Sequence, residues 1–187
     1  MAYPARIDPQ LLIDESEKMI EASGLGAFSL GKLAAKMGVK TPSLYRHIGN
    51  KDKLLADVSM QTARKMFAAM EAAQEATAKP EEQLLQLAVA QWHFAHDFPH
   101  TYALLFAAKP DSQRPDPKEL ERMVLPIQAL VVELSGEEHA LSELRGLVAL
   151  IHGFIMLDLN GSLRRGGDLF EAFRHSIGKY VQGCQKS

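Results

Sequence analysis

Apolar residues recur along the chain at spacings of three and four. No sustained period-two alternation appears, so the pattern predicts an all-α protein of about nine helices. Residues 8–23 open on Asp8-Pro9, a helix start with proline in the first turn, and set Leu12, Ser16, Met19 and Ile20 on one face. Gly24 and Gly26 break that pattern. Ser29 is an N-cap for a short helix carrying Leu30, Leu33, Ala34 and Met37, and Gly38 stops it. Thr41-Pro42 begins another short helix, ending near Gly49-Asn50. A long helix is expected from Lys51 to about Ala76. Further helices are expected over about 81–97, on to about 107, over about 118–134 around Pro126, over 137–159, and after Gly166-Gly167. The stretch 109–117 carries three prolines and reads as a loop.

The last two helices suggest assembly. Residues 137–159 place Leu141, Leu144, Val148, Ile151 and Ile155 in a 3-4-3-4 stripe, while Leu147, Leu150, Phe154 and Leu157 fill neighbouring faces. The final helix adds Phe170, Phe173, Ile177 and Val181. A helix apolar over so much of its circumference needs cover on several sides. The two stripes are therefore expected to form a homodimer interface, two helices from each subunit making a four-helix bundle. The competing reading is that both stripes are core of a single subunit.

Composition excludes some classes. Hydrophobic residues are 47% and charged residues 24%, ordinary for a globular protein. No uninterrupted apolar run reaches the roughly 18 residues of a membrane span, and the N-terminus lacks an apolar signal core. Cys184 stands alone, so no internal disulfide is possible. A cytoplasmic protein with no membrane partner is expected. The net charge of −2 is unevenly spread: residues 29–53 hold six Lys/Arg against the single acid Asp52. A basic patch on an otherwise acidic chain is the footprint of a nucleic-acid contact.

That patch coincides with two short helices separated by a glycine turn, the description of a helix-turn-helix. Ala34 and Ala35 permit close packing, Gly38 supplies the turn, and Val39 plugs the angle. The second helix presents Thr41, Pro42, Ser43 and Tyr45, a set suited to base edges and thymine methyls. Lys40, Arg46, His47 and Lys51 flank it within reach of phosphates. The run S-L-x-K-L-A-x-K-x-G-V-x-x-P-S-L-Y-R-H-I-x-N-K-x-x-L-L resembles the DNA-binding domain of the TetR family over about residues 8–55. The resemblance implies base contacts from Thr41, Pro42 and Tyr45 and phosphate contacts from Ser43, His47 and Lys51. Ser29 would also touch backbone, and Lys51 would gain from the helix dipole. Gly31 departs from the family, where a long, often basic side chain is common. Arg6 is a candidate for an adjacent minor groove.

Beyond residue 55 the resemblance thins. HDFPHTYALLF and LVALIHGFIMLDLNG resemble segments of one TetR effector subclass, the second being its His-Gly helix. They imply a helical ligand-binding and dimerisation domain, giving a division into 1–52 and 53–187. A pocket there would be apolar with a few orienting polar groups. Its candidates are Trp92, His96, Phe106, Met123, His152, Phe154 and Met156, with plain core packing as the competing role. His93, His96 and His100 form a local cluster with Asp97, and His93 and His96 can share a helix face, but Phe98-Pro99 separates His100 and no cysteine is nearby, so no metal or cofactor is expected. No catalytic motif appears. The function expected is a repressor released from a palindromic operator on double-stranded DNA by a small apolar or aromatic effector. A ligand-dependent activator and a helical small-molecule enzyme are the alternatives.

Overall fold

The computed structural model describes residues 8–75 and 78–185. Among them the chain forms α1 (Pro9–Ser23), α2 (Leu30–Lys36), α3 (Thr41–Ile48), α4 (Lys51–Ala72), α5 (Pro80–Asp97), α6 (Pro99–Phe106), α7 (Pro117–Ser135), α8 (Glu137–Leu159) and α9 (Leu169–Gly183). Short 3-10 turns cover Leu25–Ala27 and Asp111–Gln113, and no strand occurs among the described residues. Local chemistry sets most boundaries. Asp8 caps α1 by accepting from the Gln10 N–H, Pro9 fills the first turn, and Gly24 ends the helix at a φ of +74°. Asp168 caps α9 in the same way through the Glu171 N–H. α4 stops at Ala72, short of the expected Ala76. Its last amides tighten onto carbonyls three residues back, and Gln86 of α5 takes the Glu75 N–H.

The chain divides into two compact units. The first runs to Arg64 and adds Phe98–Pro117; the second is Lys65–Asp97 with Lys118–Ser187. The division therefore falls inside α4, not at the 52/53 boundary read from sequence, and it places α6 with the N-terminal helices.

The first unit is built on Leu12, Ile20, Phe28, Leu33, Leu44, Leu54, Val58 and Leu104, all buried. Each such side chain contributes about 1.5–3 kcal/mol on leaving water. Two polar ties orient helices around this core. Gln61 of α4 donates to Asp14 (3.0 Å) and Glu17 (2.6 Å) of α1 and accepts from Gln10. Glu21, near the end of α1, accepts from the His100 and Thr101 amides and the Thr101 hydroxyl (3.2, 2.9 and 2.7 Å). α6 has no side-chain cap of its own. Glu21 thus satisfies its orphan amides and places a negative charge at its positive end.

In the second unit α5, α8 and α9 pack on one another. Trp92 lies at the centre, with ring centroids of Phe173 at 4.7 Å, Phe170 at 5.8 Å and Phe154 at 6.1 Å. α8 and α9 approach closely because a Cβ on Gly146 would collide with the Tyr180 hydroxyl, which donates to Glu143. The stripes assigned to a subunit interface mostly serve this core. Leu144, Ile151, Ile155, Phe173, Ile177 and Val181 are buried within the unit, and Phe170 is half-buried. Leu141 and Val148 are exposed, as is Leu157. Although no apolar run is unbroken, α8 is by length and composition apolar enough to cross a membrane, which corrects the expectation that no segment would qualify.

Candidate nucleic-acid interface

The interface is assembled by local rules. Ser29 is extended and its Oγ accepts from the Lys32 N–H at 3.3 Å, starting α2. Leu30, Leu33 and Ala34 point into the core. Gly38 turns the chain at a φ of +67°, a conformation that a side chain would strain. Val39 returns its N–H to the Ala34 carbonyl at 3.0 Å, closing the turn. α3 follows with Pro42 in its first turn and anchors itself by Leu44 and Ile48. At eight residues it is too short to persist without those contacts. Gly49, at a φ of +71°, ends it, and the Asn50 side chain then caps α4 by accepting from the Lys53 N–H at 2.8 Å.

With Leu44 and Ile48 inside, α3 presents its other side to solvent. Tyr45 is 48% exposed, Pro42 and Arg46 are exposed, and Thr41, Ser43 and His47 are half-buried. Lys40 and Lys51 flank the helix and are exposed. Lys51 stands over the Phe28 ring, 5.9 Å from its centroid, a cation–π contact that leaves the ammonium in water. Neither Lys40 nor Arg46 has an ion-pair partner among the described residues. Elsewhere in the unit most cations are spent internally. Lys18 and Lys36 pair with Glu15 (2.7 and 2.9 Å), Lys53 with Asp57 (2.9 Å), and Arg114 with Asp111 (3.2 Å). The Lys18 and Lys36 hydrogen bonds hold the Glu15 carboxyl below its ordinary range. Uncompensated positive charge therefore gathers on both sides of an exposed face rich in small, hydroxyl and aromatic groups.

All nine sequence candidates for DNA contact belong to this one helix-turn-helix. Arg6 lies outside the described residues. Asn50 was not singled out, although an N-capping Asn before Lys51 is the available signal. The pocket candidates do not converge. Trp92, His96 and Phe154 join the aromatic cluster, whereas Phe106 belongs to the first unit and packs on Tyr102 at 4.8 Å. Met123, His152 and Met156 are half-buried on α7 and α8, and burial shifts His152 towards its neutral form. Only Phe154 of these lines the groove of about 650 Å³ between α8 and the start of α9, where Leu150, Leu157, Leu163 and Leu169 also lie. The histidines are separately engaged. His96 bonds the Trp92 carbonyl and Asp158 (both 2.8 Å), His100 bonds the Glu21 carbonyl (2.7 Å), and His93 lies against Phe170.

Comparison with known proteins places this geometry. Residues 12–58 match the family model described as bacterial regulatory proteins, tetR family, and residues 84–180 match the tetracyclin repressor-like C-terminal domain. YobS, an uncharacterized HTH-type transcriptional regulator of Bacillus subtilis, is 27% identical over 176 residues, covering 93% of this chain and 91% of its own. A Rhodococcus protein of unknown function superposes with a TM-score of 0.76 at 20% identity, covering 99% and 100% of the two chains. A TetR variant from Acinetobacter baumannii AYE, solved with minocycline, gives 0.75 at 16% identity, covering 97% and 100%. Two family models thus fall in order on a helix-turn-helix unit and the helices after it, and together they span most of the sequence. The chain belongs to the TetR family of transcriptional regulators, with a DNA-binding helix-turn-helix followed by a helical ligand-binding domain.

Proposed function

We propose that this regulator is a homodimeric repressor whose α3 helices read two halves of a palindromic operator, and that a small apolar or aromatic effector releases it. The observation that carries the reading is the coincidence of unpaired cations with the exposed face of α3. Thr41, Pro42 and Tyr45 contact bases in the major groove, while Ser29, Lys40, Ser43, Arg46, His47 and Lys51 contact the backbone. In a symmetric dimer the two helices sit about 34–36 Å apart, one turn of B-DNA. Leu141, Val148 and Leu157, together with the groove beside α9, supply the apolar face for the second subunit. That face also accounts for a helix so apolar without placing it in a membrane, consistent with a cytoplasmic protein.

The effector acts only if it binds the DNA-incompetent arrangement more tightly than the competent one. Phe154, the pocket candidate that lines the groove beside α9, offers an aromatic surface there among Leu150, Leu163 and Leu169, which favours an aromatic or weakly polar molecule. The A. baumannii protein solved with minocycline is a precedent for a ligand of that kind.

The test uses genomic fragments retained by the wild-type protein. Tyr45→Ala and Lys51→Ala are each expected to weaken binding about fivefold to about 150-fold, a loss of about 1–3 kcal/mol, with unchanged circular dichroism and melting. Wild-type affinity in both variants would place the reader elsewhere on the molecule.

A further inference from the structure

α2 contains two lysines inside the basic stretch, and charge counting alone would assign both to the DNA. Their positions say otherwise. The Lys36 ammonium lies 2.9 Å from the Glu15 carboxylate of α1, which also holds Lys18. Glu15 is the less exposed partner, with 16% of its side chain accessible against 49% for Lys36. Lys32 folds back to the Ala27 carbonyl at 2.8 Å, pinning the Leu25–Ala27 turn to the start of α2. The remaining exposed positions of α2 are Gly31 and Ala35, which offer a hydrogen atom and a methyl group. No charged side chain on α2 is both exposed and uncommitted.

We infer that α2 supports the reader without a charged contact to DNA, and that among the described residues three cations per subunit, Lys40, Arg46 and Lys51, neutralise the operator phosphates. This rests on the DNA-binding reading above but goes beyond it, because it fixes which basic residues count. Gly31 is the open position in this arrangement. Its backbone is helical, and an added Cβ would meet only the Ser29 Oγ, at 3.9 Å. A basic side chain placed there would reach solvent and add a charge that the natural protein lacks.

Counterion release makes the inference measurable, since each neutralised phosphate adds about 0.9 to the slope of log affinity against log salt. With a duplex of a retained genomic fragment, the full-length dimer is expected to give a slope of about −5. Lys32→Met and Lys36→Met should leave that slope in place and keep affinity within about twofold, whereas Lys40→Met should make it shallower by about 2. Gly31→Lys should steepen it by about 2, because a new cation enters each half-site. A wild-type slope near about −9, made shallower by Lys32→Met or Lys36→Met, would overturn the inference while leaving the DNA-binding reading intact. Salt-insensitive binding, or none, would overturn both. Melting of each variant separates the outcomes from misfolding: Lys36→Met loses one surface tie and should melt close to wild type.

Discussion

Lys109 carries a charge that its surroundings do not match. Its ammonium donates to the Ser59 hydroxyl and the Leu104 carbonyl, both at 2.9 Å, and no carboxylate is among these partners. Burial, with a smaller push from the Arg114 guanidinium, brings its pKa down to about 8 from 10.5. The unfolded chain therefore holds this proton more tightly than the folded one. The group costs stability below about pH 8, and the cost is relieved as pH rises towards 10.5. Lys109→Met removes that dependence. Urea unfolding of both proteins from about pH 7 to about pH 10 is expected to show the stability difference moving in favour of the wild type as pH rises. A difference independent of pH would mean that the ammonium is well solvated. Neither this lysine nor the commitment of Lys36 to Glu15 was legible in the sequence. Both depend on pairs from separate helices, and a basic residue looks the same whether its charge is spent or free. The turn at Gly38, the cap at Ser29 and the exposed face of α3 were legible because a helix-turn-helix writes them within a few dozen consecutive residues.

α6 shows what happens at the scale of an element. Eight residues without a side-chain cap do not hold a helix alone, and the chain supplies the missing acceptor from α1 through Glu21. Glu21→Ala is expected to destabilise the first unit by about 1–2 kcal/mol, the usual cost of losing a helix cap. Amide exchange within Pro99–Phe106 should rise more than exchange in α3. Equal protection in the variant would show that Leu104 and Tyr102 hold α6 without the cap. The helix itself was expected from sequence, but its membership in the N-terminal unit was not, since nothing near Phe98-Pro99 signals a partner almost eighty residues earlier. α8 teaches the complementary lesson. Its 3-4-3-4 stripe correctly announces a buried face, yet periodicity does not say what buries it. Leu144, Ile151 and Ile155 are covered within their own unit, while the exposed apolar positions lie at Leu141, Val148 and Leu157.

At the scale of the whole molecule, charge and apolar surface are divided between two tasks. Lys40, Arg46 and Lys51 surround the exposed face of α3, and exposed leucine and valine side chains remain on α8. The proposed dimer on the second surface would give the first its function, because one α3 alone would read too few base pairs to find a site in a genome, whereas two in fixed spacing would read a palindrome. Selection of sheared genomic DNA by the full-length protein tests this most directly. The account predicts recovery of one or a few sites with inverted half-sites centred about 10 base pairs apart or a multiple of that, and their loss with Tyr45→Ala. Recovery of unrelated fragments, bound only through their phosphates and released alike by salt, would contradict it.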